Sequence, residues 1–149
     1  MRWDGETPLP KPVVIDSGKN TSIPSRDKGR DIPCRVFTPE NGQTKGVFMH
    51  IHGGGWTLQS PEFQDTLLKF IADNGQLTVV SAGYRLAPEH PYPAGPQDSY
   101  DAAEWLVDHA KEKYGAELTF AGGEVRDARV VLETKWLTSR FSVRRGTSC

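Results

Sequence analysis

The feature that most constrains the fold of this 149-residue sequence is a run of three glycines placed directly after an apolar stretch. Residues 47–51 are almost continuously apolar, which is typical of a strand buried on both faces. The glycines at 53–55 end that stretch. The Ser-Pro-Glu sequence at residues 60–62 then carries the signals of a helix start: a capping serine, a proline that needs no N–H partner and an acid near the positive helix end. The sequence therefore predicts a strand, a glycine turn and a helix in succession.

The same alternation continues along the chain. Apolar residues at helical spacing predict a helix over residues 63–71, and residues 77–81 predict the next strand. A proline-rich loop follows over residues 86–96, then a second helical face over residues 100–114 and a short strand at 118–121. Alternation of this kind predicts an α/β fold, with a mostly parallel sheet and flanking helices. Functional sites in such sheets lie beyond the carboxyl ends of the strands.

Three segments of different character divide the chain. Residues 1–30 are predicted to form an irregular N-terminal segment with one short edge strand at 13–15. Residues 31–124 are predicted to form the α/β domain. Residues 125–149 carry six basic and two acidic side chains, although the net charge of the whole chain is −1. We expect this last segment to be an unrelated basic tail that is solvated and disordered.

Composition excludes several classes of protein. A net charge of −1 gives no reason to expect nucleic acid as a partner. Cys34 and Cys149 are too few for a disulfide framework, so a reducing environment is the expectation. The sequence shows neither a signal peptide nor a membrane-spanning stretch, and we therefore expect a cytoplasmic protein.

The glycine run is the first candidate functional site. Glycines let the backbone approach a ligand closely and turn several N–H groups in one direction, which suits the binding of a developing oxyanion. A flexible glycine turn is the alternative interpretation, but the preceding strand and the following helix favour an oxyanion-binding loop. The candidate residues are His52, Gly53, Gly54 and Gly55.

Two histidines near this loop invite a second hypothesis. His50 and His52 are two residues apart on the predicted strand and therefore share a face. A metal-binding pair is conceivable, but no third ligand is apparent in the sequence. We therefore predict no metal site and expect His52 to hydrogen-bond and orient the glycine loop.

The proline-rich loop is predicted to have a structural role. Arg85 has Glu89 and Asp98 as possible carboxylate partners, and a planar guanidinium can pin a stiff loop in place. The alternative is that Glu89 and His90 form an acid/base pair. The residues assigned to the structural loop are Tyr84, Arg85, Pro88, Glu89 and Asp98.

Two motifs together resemble a known family. The sequence HGGGW at 52–56, then YRLAPEHPYPA at 84–94, followed by Asp98 and Trp105, is similar to the hormone-sensitive-lipase-like branch of the α/β-hydrolases. The resemblance covers about residues 30–124, so only the N-terminal portion of that fold. It implies a serine carboxylic-ester hydrolase (esterase or lipase) without a cofactor, acting on short or medium acyl esters. It also implies that the N–H groups of Gly54 and Gly55 are the oxyanion donors.

The resemblance stops inside its most diagnostic motif. The family mechanism needs a serine in a G-x-S-x-G turn, followed later by an acid and a histidine. The family pattern places that serine at position 125, where this sequence has Val125, and no histidine follows His109. We therefore expect a chain truncated before its nucleophile and catalytically inactive, with an incomplete sheet that self-associates through its exposed edge.

Two further interpretations remain open at this point. One is a non-catalytic member of the same fold that binds or senses a small ligand. The other is a product of intron retention or a frameshift that has no function.

Overall fold

The computed structural model describes residues 11–124, which form one five-stranded sheet with helices on both faces. The elements are β1 (Lys19–Pro24), β2 (Asp31–Phe37), β3 (Gly46–Ile51), a 3₁₀ turn (Pro61–Gln64), α1 (Asp65–Gly75), β4 (Leu77–Ala82), α2 (Ala94–Tyr114) and β5 (Leu118–Gly123). Among these residues, no helix combines the length and the apolar character that crossing a membrane requires.

The strand order of the sheet is β1-β2-β4-β3-β5. β4 and β5 both run parallel to β3, whereas β1–β2 and β2–β4 are antiparallel pairs. The expected α/β fold is confirmed, with a mixed sheet whose later strands are the parallel ones. The carboxyl ends of β3, β4 and β5 therefore meet at one edge, and this edge receives both loops that the sequence singled out.

The N-terminal segment corrects one expectation. The edge strand is Lys19–Pro24, not residues 13–15. β1 forms a hairpin with β2, and this pairing turns Ile23 and Ile32 into the core, where both are fully buried. Val13 and Val14 stay 70% and 55% exposed, and Ile15 alone of this apolar run packs against the core.

Both helix starts also differ from the sequence prediction. Ser60 makes no side-chain capping bond, and a single 3₁₀ turn precedes α1, which begins at Asp65. α2 begins at Ala94 and includes Pro96, although the sequence predicted a loop up to that proline. Proline is tolerated there because the first four N–H groups of a helix have no partner within the helix.

The alternation of side chains along the strands divides the core in two. Val47, Met49 and Ile51 of β3 point to the face covered by α2, together with Leu106. The other face is covered by α1, where Leu68 packs among its buried neighbours Phe37, Ala72 and Val79. β3 and β4 are therefore buried on both faces, as the continuous apolar run at 47–51 predicted for β3.

A buried ion pair joins β2 to α1 and to the N-terminal segment. The Arg35 guanidinium donates to Asp65 through Nη2 at 2.6 Å and through Nε at 3.0 Å. The same guanidinium donates to the carbonyl oxygens of Ile15 and Gly18 and to the side chain of Asn20. Asp65 is fully buried and also accepts the Ile15 N–H. Every charge in this pair is compensated, which is what makes its burial tolerable.

A second buried polar pair lies between two central strands. The Nδ1 atom of His50 lies 2.9 Å from the Ser81 hydroxyl oxygen, across the parallel β3–β4 pair. Burial lowers the pKa of His50 from its usual 6.5 to about 4, so the imidazole is neutral at physiological pH.

Asp65→Asn is expected to lower the free energy of unfolding by about 3–5 kcal/mol, because it leaves the buried Arg35 cation without its counter-charge. Urea denaturation followed by circular dichroism measures the change. Asp73→Asn is the matched control, since Asp73 pairs with Lys69 at the solvent-facing side of the same helix. A loss in the Asp65 variant no larger than in the control would contradict the assigned role.

His50 is expected to make the fold acid-sensitive. The unfolded chain takes up a proton near pH 6.5, whereas the folded chain resists protonation until about pH 4. The stability contributed by the neutral, buried imidazole is therefore complete above pH 6.5 and is lost as the pH falls towards 4, by on the order of 3 kcal/mol. Urea midpoints measured across this range should fall less steeply for His50→Gln. His109→Gln, which removes an exposed imidazole on α2, should keep the wild-type slope. Equal slopes in all three proteins would refute the prediction.

Candidate functional site

Three chain segments meet where the parallel strands end. In the structure the glycine loop spans residues 52–60 and follows β3. The proline-rich loop spans residues 83–93, because β4 ends at Ala82 and α2 begins at Ala94. Glu124 follows β5, which ends at Gly123 and lies beside β3 in the sheet. The structure therefore brings together the two candidate loops that the sequence analysis identified separately.

The glycine loop has a backbone conformation that side chains rarely adopt. φ is +113° at Gly54 and +60° at Gly55, and it is also positive at Trp56 and Gln59. A Cβ atom on Gly54 would lie 2.2 Å from the Leu58 carbonyl oxygen, so only glycine fits there. Gly55 differs, because nothing lies within 4 Å of its Cβ position. Conformational freedom is required at both positions, and space is short at Gly54 alone.

The N–H groups of the three glycines have different partners. The Gly53 N–H donates to Glu124 Oε2 at 3.2 Å, and the Gln64 side-chain amide donates to the same oxygen at 2.8 Å. Within residues 11–124, no acceptor is present for the N–H groups of Gly54 and Gly55. Two neighbouring donors are thus left for a ligand, at the carboxyl end of a buried strand.

His52 and Tyr84 hold the glycine loop through hydrogen bonds to its carbonyl oxygens. Their rings stack with centroids 4.1 Å apart, and Trp56 packs against the same tyrosine. The His52 Nδ1–H donates to the Gly53 carbonyl at 2.8 Å, and the Tyr84 hydroxyl donates to the His52 carbonyl at 2.7 Å. Burial lowers the pKa of His52 to about 4 and raises the pKa of Tyr84. Both side chains are therefore neutral near pH 7, and each keeps the proton that its hydrogen bond requires.

Asp98 anchors the proline-rich loop. Its carboxylate is fully buried and accepts the Arg85 backbone N–H at 3.0 Å and the Arg85 side chain through Nε and Nη2. Arg30 also pairs with Asp98. The hydrogen bonds that Arg85 donates to Asp98 raise the pKa of Arg85 further above its usual value. The second carboxylate beside Arg85 is Asp27, at 2.9 Å from Nη1.

Three other residues of this loop are exposed to solvent. They are Pro88, Glu89 and His90. Arg85 therefore pairs with Asp98 and Asp27. Asp27 lies where Glu89 was expected, because Glu89 is exposed to solvent. The backbone of the loop contributes instead: the Ala87 N–H donates to the Trp56 carbonyl at 2.8 Å.

The end of β5 packs tightly against the start of the glycine loop. A Cβ atom on Gly123 would lie 1.9 Å from the Ile51 carbonyl oxygen, so the close approach requires glycine. The Glu124 N–H donates to the same carbonyl at 3.4 Å. Position 125, where the resemblance places the nucleophile, lies outside the described residues, as does the predicted basic tail.

The described residues offer little that could hold a metal ion. No group of three or more potential ligands is present among residues 11–124. The Nδ1 atoms of His50 and His52 are directed to Ser81 and to the Gly53 carbonyl respectively.

Several residues of the site were not identified from the sequence. Glu124 accepts the Gly53 N–H from 71 residues away along the chain, and Gln64 donates to the same Glu124 carboxylate across a separation of 60 residues. Asp27 and Arg30 reach the Asp98 cluster from the N-terminal segment. Contacts between such distant positions leave no local pattern that a single sequence could reveal.

Comparisons with known proteins agree with this geometry. A family model described as alpha/beta hydrolase fold matches residues 48–124. The chain is 36% identical over 108 residues to the carboxylic ester hydrolase LipN of Mycobacterium tuberculosis, covering 72% of this chain and 28% of that protein. It is 37% identical over 104 residues to an arylesterase of Saccharolobus solfataricus, covering 70% of this chain and 33% of the relative.

Solved structures give the same result. A structure of an arylesterase superimposes with a TM-score of 0.70 at 28% identity, covering 87% of this chain and 44% of the other. A hyperthermophilic esterase of Pyrobaculum calidifontis gives 0.68 at 32% identity, covering 92% and 43%. The chain thus spans about a third or less of the length of these curated relatives. These comparisons show that the chain belongs to the α/β hydrolase fold family, in its hormone-sensitive-lipase-like branch.

Proposed function

We propose that the glycine loop is the oxyanion-binding part of a serine carboxylic-ester hydrolase site for short or medium acyl esters. The observation that carries this proposal is the pair of N–H groups of Gly54 and Gly55, which have no acceptor within residues 11–124. Preorganised donors of this kind lower the barrier of acyl transfer, by about 2.7–4 kcal/mol for each donor. The esterase names of the related proteins support the same reaction class.

The neighbouring side chains have positioning roles in this proposal. His52 and Tyr84 fix the carbonyl oxygens of the loop and add no charge near pH 7, because burial keeps both neutral. The Arg85–Asp98 pair fixes the second loop, whose Ala87 N–H holds the Trp56 carbonyl. An ester carbonyl bound at Gly54 and Gly55 would therefore meet a loop that is fixed before the ligand arrives.

We also infer that this 149-residue chain does not turn esters over. Valine at position 125 has no nucleophilic atom, and residues 110–149 contain no histidine to serve as the late general base. The chain as it stands would then be truncated with respect to the family mechanism, with its oxyanion-binding loop retained. A protein that binds a small ligand without turnover is the second candidate, and it is favoured by an intact glycine loop in a chain whose residue 125 is valine.

Partners and location follow from the same proposal. The partner is a small ester or its analogue, and the compartment is the reducing cytoplasm, in which the buried thiol of Cys34 stays free. The outer strand β5, on which Phe120 is 55% exposed, is the proposed edge for self-association.

Phenylphosphonate, a tetrahedral anion, is expected to bind at the N–H groups of Gly54 and Gly55. In ¹H–¹⁵N spectra its titration should shift the amide signals of Gly54 and Gly55 in a saturable manner. Gly29 and Gly42 are internal controls, since they also have positive φ and open surroundings but lie in remote turns. Gly54→Ala should abolish the response because its Cβ would overlap the Leu58 carbonyl, whereas Gly55→Ala should fold with a cost of about 1–2 kcal/mol. Equal shifts at all four glycines would refute specific binding at the loop.

The purified chain is expected to hydrolyse p-nitrophenyl acetate and p-nitrophenyl butyrate no faster than its own Gly54→Ala variant. The physical reason is the valine at position 125. The absorbance of the released p-nitrophenolate at about 400 nm gives the rate. Turnover that a serine-directed phosphonate abolishes would overturn the inference of inactivity and leave the proposed oxyanion loop standing.

A further inference from the structure

The carboxylate of Glu124 joins three elements at the end of the parallel strands. One of its oxygens, Oε2, accepts the Gly53 N–H at 3.2 Å and the Gln64 side-chain amide at 2.8 Å. Glu124 follows β5, Gly53 lies in the glycine loop and Gln64 ends the 3₁₀ turn before α1. A single side chain at the end of β5 thus holds the loop and the turn together.

The N–H of Gly53 needs the acceptor that Glu124 supplies. Gly53 is buried, and a buried backbone N–H without an acceptor is costly. The acceptor that this N–H has within residues 11–124 is Glu124 Oε2. A carboxylate accepts a stronger hydrogen bond than a neutral group does, and the Gln64 amide offsets part of the negative charge that it brings to the loop.

The bond to Glu124 fixes one whole peptide unit of the loop. The Gly53 N–H and the His52 carbonyl belong to the same planar unit and point in opposite directions. The carbonyl accepts the Tyr84 hydroxyl at 2.7 Å, and Glu124 holds the N–H on the other side. Rotation of this unit would change the backbone angles at Gly53 and would therefore redirect the next unit, which carries the Gly54 N–H.

The close contact with Glu124 explains the first glycine of the run. A Cβ atom on Gly53 would lie 3.0 Å from Glu124 Oε2 and 3.4 Å from Glu124 Cβ. Backbone conformation is not the reason for glycine here, since φ is positive at Gly54 and Gly55 but not at Gly53. A side chain at position 53 would therefore displace the carboxylate without straining the backbone.

The negative charge of Glu124 also supports the bond on the opposite side of the peptide unit. Burial, and after it the charge of this carboxylate, raise the pKa of Tyr84. The Tyr84 hydroxyl therefore keeps the proton that it donates to the His52 carbonyl. Both ends of the unit are held more firmly because the carboxylate is present.

We propose that Glu124 is a positioning residue of the glycine loop, whose carboxylate sets the direction of the Gly54 donor by holding the Gly53 N–H. The inference rests on the proposed oxyanion-binding function and deepens it, since it names the side chain that orients the loop from the side of β5. Glu124 directly precedes position 125, where the resemblance places the nucleophile. The same contact therefore ties the loop to the chain at that position.

The test compares Glu124→Ala, Glu124→Gln and Glu117→Ala with the wild-type full chain in ligand-free ¹H–¹⁵N spectra. Glu124→Ala should shift the Gly53 amide proton upfield, because its hydrogen bond is lost, and should move the Gly54 amide signal. Glu124→Gln keeps an acceptor oxygen and should restore both signals to near their wild-type positions. Glu117→Ala is the matched control, since it removes an exposed acid at the other end of β5 that pairs with Lys111. A Gly54 signal that stays at its wild-type position in Glu124→Ala would overturn the proposal, as would a failure of Glu124→Gln to restore it.

The affinity for phenylphosphonate gives a second measurement. Glu124→Ala should weaken its binding at Gly54 and Gly55 about tenfold, the effect of one hydrogen bond to a charged group, and Glu124→Gln should stay within about twofold of the wild type. Equal affinities of Glu124→Ala and the wild type would refute the positioning role and leave the proposed function standing. Absence of binding to the wild type would instead refute the proposed function, and the ligand-free spectra would still decide the role of Glu124.

A double-mutant cycle with Gly53→Ala tests whether Glu124 acts through Gly53. Gly53→Ala alone should displace the carboxylate and move the Gly54 signal as Glu124→Ala does. In the double variant the new Cβ atom no longer meets Oε2, so the combined effect should be no larger than that of either single change. Additive effects would overturn the proposal, because the glycine and the glutamate would then act independently.

Discussion

The buried carboxylate of Asp98 is the interaction on which the geometry of the site depends. It lies in the first turns of α2 with no exposure to solvent, and it binds Arg85 and Arg30 at once. An unpaired carboxylate in that position would be expelled or protonated, so its pairing with arginine is what makes its burial tolerable. The cluster therefore fixes three separate segments relative to one another: the N-terminal segment, the proline-rich loop and the start of α2. The glycine loop then depends on the second of these, through the Trp56 carbonyl and the Tyr84 hydroxyl.

Local requirements explain what could be predicted from the sequence. The glycine loop could be predicted because its turn needs positive φ at Gly54 and Gly55, and glycine is the residue that adopts positive φ most easily. The buried strand before them was recognisable because both of its faces are covered, which gives a continuous apolar run. Asp98 was one of two possible carboxylate partners named for Arg85, because only a few carboxylates lie near the arginine in the chain, and the structure contains this pair.

Contacts between distant segments explain what could not be predicted. Glu89 is close to Arg85 in sequence, yet its side chain is exposed to solvent. Asp27, which is far from Arg85 in the chain, pairs with the arginine instead. Likewise, the edge strand was expected at 13–15 because those residues are apolar, whereas the hairpin with β2 selects Lys19–Pro24. The partner strand decides that choice, and the polar composition of β1 gives no sign of it.

The hydrogen bonds to the carbonyl oxygens of the glycine loop also determine where its N–H groups point. A peptide unit is planar, and in its trans form the C=O and the N–H point in opposite directions. His52 Nδ1 and the Tyr84 hydroxyl hold the Gly53 carbonyl towards the protein, so the N–H of Gly54, which shares that plane, must point away from them. The Gly54 carbonyl is held in turn by Thr57 and Leu58, which directs the N–H of Gly55. Two N–H groups for which residues 11–124 hold no acceptor are thus oriented by the hydrogen bonds to the carbonyl oxygen of the same peptide unit.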